Sequence, residues 1–300
     1  MTKVLVLGAT GNIGGLTAAA LAANYPDVQL RLASSRDSGR ESLSAAYPGA
    51  EVVTADWYDA DKLARAVKGV DKVFMVTPDF RTDESVVTPN VIRAIKAAGG
   101  VQQVVRFIAI PPGLTAEKLE PEFLATRCGA NLHTVAKPLF DASGLPMTYI
   151  NAACWIMFNL PWFMADEVKR NRRIAMPAAS DACRLWVSEN DIADVAAKVL
   201  ADPAAAHVGQ EYLVTGTERF DFRQVAALLS DVIGKPVGYV NEDAYLRAAM
   251  GDNFDTLMTY FRHETRDYRD VPSTDTVQRL LGRPQVTLRD YVEANKALFS

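Results

Sequence analysis

The chain has 300 residues, 49% of them hydrophobic and 23% charged, enough to bury a sizeable core in one large or two modest domains. Its formal net charge of −4 leaves no basic excess to hold a nucleic-acid backbone, so no nucleic-acid partner is expected. The three cysteines lack any CxxC pair and the three histidines lack HxxH or HExxH spacing, which argues against a disulfide framework and against a metal site.

Val4-Leu5-Val6-Leu7 is a short continuous apolar run, as expected of a strand buried on both faces of a parallel sheet. It follows Met1 without the long apolar core or cleavage site of a secretory leader, so a cytoplasmic chain is expected. No apolar stretch approaches the roughly 18–20 residues that span a bilayer, so no membrane partner is expected.

Gly8-Ala9-Thr10-Gly11-Asn12-Ile13-Gly14 comes next, directly after the strand and opening a helix over 12–24. Gly8 permits a tight turn, Gly11 lets the backbone approach a pyrophosphate, and Gly14 allows close packing of helix on strand. Gly8, Thr10, Gly11, Asn12 and Ile13 are therefore candidate cofactor contacts, with the phosphates against the helix N-terminus.

A strand over 28–33 ends in Ala33-Ser34-Ser35-Arg36, where an NAD binder usually carries a carboxylate. Hydroxyls and a guanidinium at Ser35 and Arg36 favour a 2′-phosphate, and hence NADP(H), with Arg40 as a second clamp. Helices over 38–47, 59–67, 84–98 and 120–142 alternate with strands over 51–54, 72–76, 103–110 and 147–150. That alternation predicts an α/β fold, a Rossmann-type doubly wound parallel sheet.

In the second half, 155–170 is apolar and helical in pattern, broken at Pro161. A helix over 189–200 and a strand over 211–214 follow, then helical patterns over 222–233, 243–250, 254–266, 274–281 and 288–299. The expected organisation is a dinucleotide-binding domain over 1–153 and a smaller, mainly helical cap and substrate region over 154–300. Residues of about 186–216 return to the Rossmann sheet, and the cap lies over the strand ends.

With the glycine turn in place, further segments resemble the NmrA-like atypical short-chain dehydrogenases over most of residues 1–235. They are Ala55-Asp56, Val76-Thr77-Pro78, Ser143-Gly144-Leu145-Pro146-Met147-Thr148-Tyr149-Ile150, Asn159 and Asn190-Asp191-Ile192-Ala193-Asp194-Val195-Ala196. The resemblance implies NADP(H) across the strand ends, Asp56 and Trp57 near the adenine, and Val76, Thr77 and Pro78 along the ribose and nicotinamide path. It implies a small-molecule substrate and a monomer or homodimer.

The Ser and Tyr-x-x-x-Lys set of many short-chain dehydrogenases is missing. The fifth strand ends Phe107-Ile108-Ala109-Ile110-Pro111-Pro112, and the usual Lys and Tyr positions hold His133 and Gly129. His133, like its counterpart in quinone-reductase-like members, is the candidate cofactor contact and catalytic group. Trp155 and Asn159, in an aromatic and Met-rich stretch after the sixth strand, are the candidate substrate contacts. The expected function is NADP(H)-dependent reduction of a small apolar quinone-type or conjugated carbonyl compound. The alternative is a non-catalytic NADP(H) redox sensor acting through a protein partner.

Overall fold

Short apolar runs separated by helices become neighbours in one sheet. The computed structural model describes residues 1–177 and 183–300. Its first half alternates β1 (Thr2–Leu7), α1 (Asn12–Asn24), β2 (Val28–Ser34), α2 (Asp37–Ala46), β3 (Glu51–Thr54) and α3 (Ala60–Val67). Then come β4 (Lys72–Met75), α4 (Glu84–Ala98), β5 (Gln103–Ile108), α5 (Pro121–Leu124), α6 (Ala130–Asp141) and β6 (Met147–Asn151). The second half holds β7 (Trp155–Ile156), α7 (Asn159–Asn171), β8 (Arg173–Met176), β9 (Arg184–Val187), α8 (Glu189–Ala201) and β10 (Glu211–Leu213). It ends with β11 (Arg219–Phe220), α9 (Phe222–Ile233), β12 (Gly238–Asn241), α10 (Ala244–Met250), α11 (Phe254–Asp267), α12 (Thr276–Leu281) and α13 (Leu288–Ala294).

The main sheet is seven-stranded, ordered β10-β6-β5-β4-β1-β2-β3, and each of its neighbouring pairs is parallel. Every residue of β4, β5 and β6 is buried, the polar Lys72, Gln103, Arg106, Thr148 and Asn151 included, as expected of central strands covered on both faces. The strand order reverses between β1 and β4, and in open α/β sheets that reversal opens a crevice at the carboxyl ends.

The chain forms two compact units. The first comprises Met1–Ile110, Gly129–Asn151 and Ile192–Leu213, and it contains the main sheet. The return of 192–213 is anchored by Lys72, whose buried ammonium donates to the carbonyls of Leu200 (2.9 Å) and Asp202 at the end of α8. A cation there also complements the negative end of the helix. The second unit comprises Pro111–Cys128, Ala152–Asp191 and Val214–Ser300.

Three local features differ from the expected pattern. Residues 120–142, periodic enough for one helix, divide into α5 and α6 because Arg127 (φ 50°) and Gly129 (φ 52°) adopt left-handed conformations between them. The helix expected from 155 starts at Asn159, because Trp155 and Ile156 pair instead with Trp186 and Val187 as β7 on β9. Pro161 then falls in the first turn of α7, where no N–H is needed, and it does not break the helix. The second unit also carries two small sheets, β11-β9-β7 and β12-β8, beside its helices. Among the described residues no helix is long and apolar enough to cross a membrane.

Candidate functional site

The turn after β1 closes with the Gly11 N–H on the Gly8 carbonyl at 2.9 Å. Gly8 sits at φ +95°, and a Cβ there would lie 2.6 Å from the Val76 carbonyl oxygen. A Cβ on Gly14 would lie 2.2 Å from the Gly8 carbonyl oxygen, so α1 packs onto the turn at a distance only glycine permits. Gly11 caps α1 without a side-chain hydrogen bond, and the first turn holds no acidic residue. The free N–H groups and positive helix end are therefore open to an anion, which fits the pyrophosphate of a dinucleotide.

Around this turn lies a cleft of about 530 Å³ at the ends of β1 to β4. Gly8, Thr10 and Gly11 line it from β1, Ser35 and Arg36 from β2, Asp56 and Trp57 from β3, and Val76, Thr77 and Pro78 from β4. Asn12 and Ile13 open α1 beside it without lining it, and Ile13 is buried beneath the turn. Residues that sequence reasoning did not single out also line the cleft, among them Tyr58, Arg81 and Thr82. Tyr58 follows the tip of β3 and Arg81 and Thr82 that of β4, and this place after a strand end is the one signal that marks them.

At the β2 tip the buried Ser34 hydroxyl accepts the Arg36 N–H at 3.2 Å and holds the bend that turns Arg36 outward. Arg36 is exposed and makes no ion pair among the described residues. Arg40, the second clamp expected from sequence, is bonded to Asp37. The Asp56 carboxylate accepts the Tyr58 N–H at 3.1 Å, a local turn bond beside the cleft.

Thr77 belongs to a buried network. Its hydroxyl donates to Glu84 Oε1 at 2.5 Å, and Arg106 Nη2 donates to the same oxygen at 2.6 Å and to Thr77 Oγ1 at 3.1 Å. The other Glu84 oxygen accepts from Thr88 at 2.5 Å. The Thr77 side chain is thus committed to the protein.

His133 lies on α6, 3% exposed, with its ring edge-on to Phe107. Its Nδ1 accepts the Ala109 N–H at 2.9 Å, which assigns the proton of the neutral ring to Nε2. Burial, and then the nearby Arg106 charge, push its pKa well below 6.5. Lys137, one turn along, pairs with Asp141 at 2.9 Å and sits over the Tyr149 ring.

In the second unit, Trp155 is 2% exposed and packs against Trp186, Phe222 and Phe261. The Arg184 guanidinium lies 4.4 Å over its ring and is paired with buried Glu264 at 3.0 Å. Trp155 therefore fills its own unit's interior, while Asn159 opens α7 half-buried.

The model of the NmrA-like family matches residues 1–272. The (4-alkanoyl-5-oxo-2,5-dihydrofuran-3-yl)methyl phosphate reductase of Streptomyces griseus is 30% identical over 99% of each chain. The NAD(P)H azoreductase of Xenophilus azovorans is 29% identical, again over 99% of each. An NADPH-dependent quinone oxidoreductase of Escherichia coli, solved with NADPH, is 25% identical with a TM-score of 0.79, covering 99% of this chain and 100% of that one.

Proposed function

Because the chain belongs to the NmrA-like family, we propose that it is an NADP(H)-dependent reductase whose substrate is a small apolar molecule of quinone or conjugated-carbonyl type. The observation that carries this reading is the cleft itself. A glycine cradle and an open helix end meet the pyrophosphate, while Arg36 stands at the β2 tip where an NAD enzyme holds a carboxylate.

NADPH supplies a hydride when bound; the chain positions it and its acceptor. Gly8, Thr10 and Gly11 hold the phosphates, Ser35 and Arg36 the 2′-phosphate, and Asp56 and Trp57 the adenine side. Val76, Thr77 and Pro78 offer backbone to the ribose and nicotinamide, since the Thr77 hydroxyl is already bonded to Glu84. His133, with Nδ1 fixed by Ala109, serves as an Nε2–H donor to the ribose or the acceptor carbonyl rather than as a proton shuttle. Asn159 serves on the substrate side, and the buried Trp155 supports it from within its unit. Reduction of a conjugated acceptor asks little of acid–base groups, which suits a chain with His133 and Gly129 at the usual Lys and Tyr positions.

Calorimetric titration with NADPH and NADH, followed by a panel of quinones and enones, tests the reading. The expected result is preferential NADPH binding and bleaching of the nicotinamide band by at least one acceptor. Tight binding with no bleaching by any acceptor would instead support a redox sensor.

His133 also carries a stability prediction. Its folded pKa lies well below 6.5, whereas the unfolded imidazole takes up a proton below about pH 6.5. The unfolded state then binds more protons, so stability is lost as pH falls from about 6.5 toward the folded pKa. Urea unfolding at about pH 7.5 and pH 5 should show a smaller acid loss in His133→Gln than in the wild type. Equal losses in both would contradict a neutral buried His133.

A further inference from the structure

The strand order places β1 and β2 between β4 and β3, so any link from the loop after β4 to the turn after β3 spans the ends of β1 and β2. Residues 78–83 make such a link. The Tyr58 hydroxyl donates to the Arg81 carbonyl at 3.1 Å and accepts the Asp83 N–H at 2.9 Å. Asn90 Nδ2 adds a bond to the Trp57 carbonyl at 3.3 Å. Within the strap, Thr82 donates to the Pro78 carbonyl at 2.6 Å, and Phe80 is held at φ 63°. The backbone that carries Arg81 is thus fixed across the mouth of the cleft.

The charges around the cleft point the same way. Among the described residues lining the cleft, Arg36 and Arg81 are the basic ones. Neither guanidinium makes an ion pair among the described residues, whereas Arg40 is bonded to Asp37. The α1 N-terminus meets the pyrophosphate, which leaves the adenosine 2′-phosphate as the remaining dianion. A phosphomonoester has three oxygens to satisfy, and one arginine fork reaches two of them.

We propose that Arg81, held by the Tyr58 strap, is the second cation that reads the 2′-phosphate together with Arg36. The inference rests on the reading that this cleft holds NADP(H). It assigns cofactor choice in this chain to a residue about 45 positions beyond the β2 tip rather than to the tip alone.

The test is calorimetric binding of NADPH and NADH to the wild type, Arg81→Ala, Arg81→Lys and Tyr58→Phe, with circular dichroism and melting to confirm the fold. Loss of a charge-assisted phosphate contact should weaken NADPH in Arg81→Ala by about tenfold or more. NADH should change by less than about twofold, because it lacks the phosphate that the contact reads. Arg81→Lys should recover part of the loss, and Tyr58→Phe should show the same NADPH-selective weakening in smaller degree. An Arg81→Ala protein that loses both nucleotides equally, or neither, overturns the proposal while leaving the cofactor reading intact. A wild type that binds neither nucleotide overturns both.

Discussion

Replacing Gly14 with alanine should weaken cofactor binding about a hundredfold and destabilise the fold together. The added Cβ would sit 2.2 Å from the Gly8 carbonyl oxygen and 2.7 Å from its carbon. Both are backbone atoms, so no rotamer can relieve the contact. Helix α1 must retreat from the turn by roughly 1 Å, a strain of about 1–3 kcal/mol for an overpacked site. The same retreat moves the N–H groups that face the pyrophosphate, and a displacement of that size costs about a hundredfold in a positioned interaction. Urea unfolding and NADPH calorimetry on the same sample read both effects. Gly49→Ala, where a Cβ would meet nothing within 4 Å, is the matched control and should change neither. A Gly14→Ala protein with wild-type affinity would show that the turn does not hold the cofactor.

Much of the first unit was legible because one physical signal dominated it. Val4-Leu5-Val6-Leu7 is apolar throughout since β1 is covered on both faces, and its buried pattern matches. The glycine turn was legible because close approach admits no other residue at Gly8 and Gly14. The second unit gave weaker signals. Strands β7 and β11 have two residues each and β8, β9 and β12 four, too few for a period of two to emerge. Arg127 at φ 50° has no residue-type signature, so Gly129 alone marked the break between α5 and α6 in the sequence. Pro161 carried two meanings, helix break or first-turn residue, and the pairing of Trp155 with Trp186 decided between them.

The candidate site divides the same way. Arg36 was legible from its distance past the glycines. The loss of Arg40 to Asp37 was open to inspection, since residues three apart on a helix face each other. Arg81 was not legible. Its approach to the cleft depends on a hydrogen bond between Tyr58 and a carbonyl 23 residues away, and no local pattern encodes that. Trp155 shows the opposite difficulty, because an aromatic stretch after a strand looks the same whether it lines a pocket or packs within a core.

The second large effect should come from Glu84. Its side chain and that of Arg106 are 1% and 0% exposed, and their oxygen and nitrogen lie 2.6 Å apart. Among the described residues Arg106 Nε and Nη1 have no hydrogen-bond partner, and its guanidinium carbon lies 5.6 Å from the Phe140 ring centre. Glu84 is thus the counter-charge of a cation that water does not reach. Glu84→Ala leaves that cation uncompensated and should destabilise the protein by about 3–5 kcal/mol. Replacing both partners, as Glu84→Leu with Arg106→Met, removes the charges together and should fall within about 1 kcal/mol of the wild type or above it. The double variant separates stability from function. Thr77 donates to Glu84 and accepts from Arg106, so the lip of the cleft loses its tether in either variant. NADPH affinity should therefore fall in the double variant while its unfolding midpoint holds. If affinity and stability were both restored, the pair would be a packing device alone; if stability stayed low, the ion pair would contribute more than its desolvation removes.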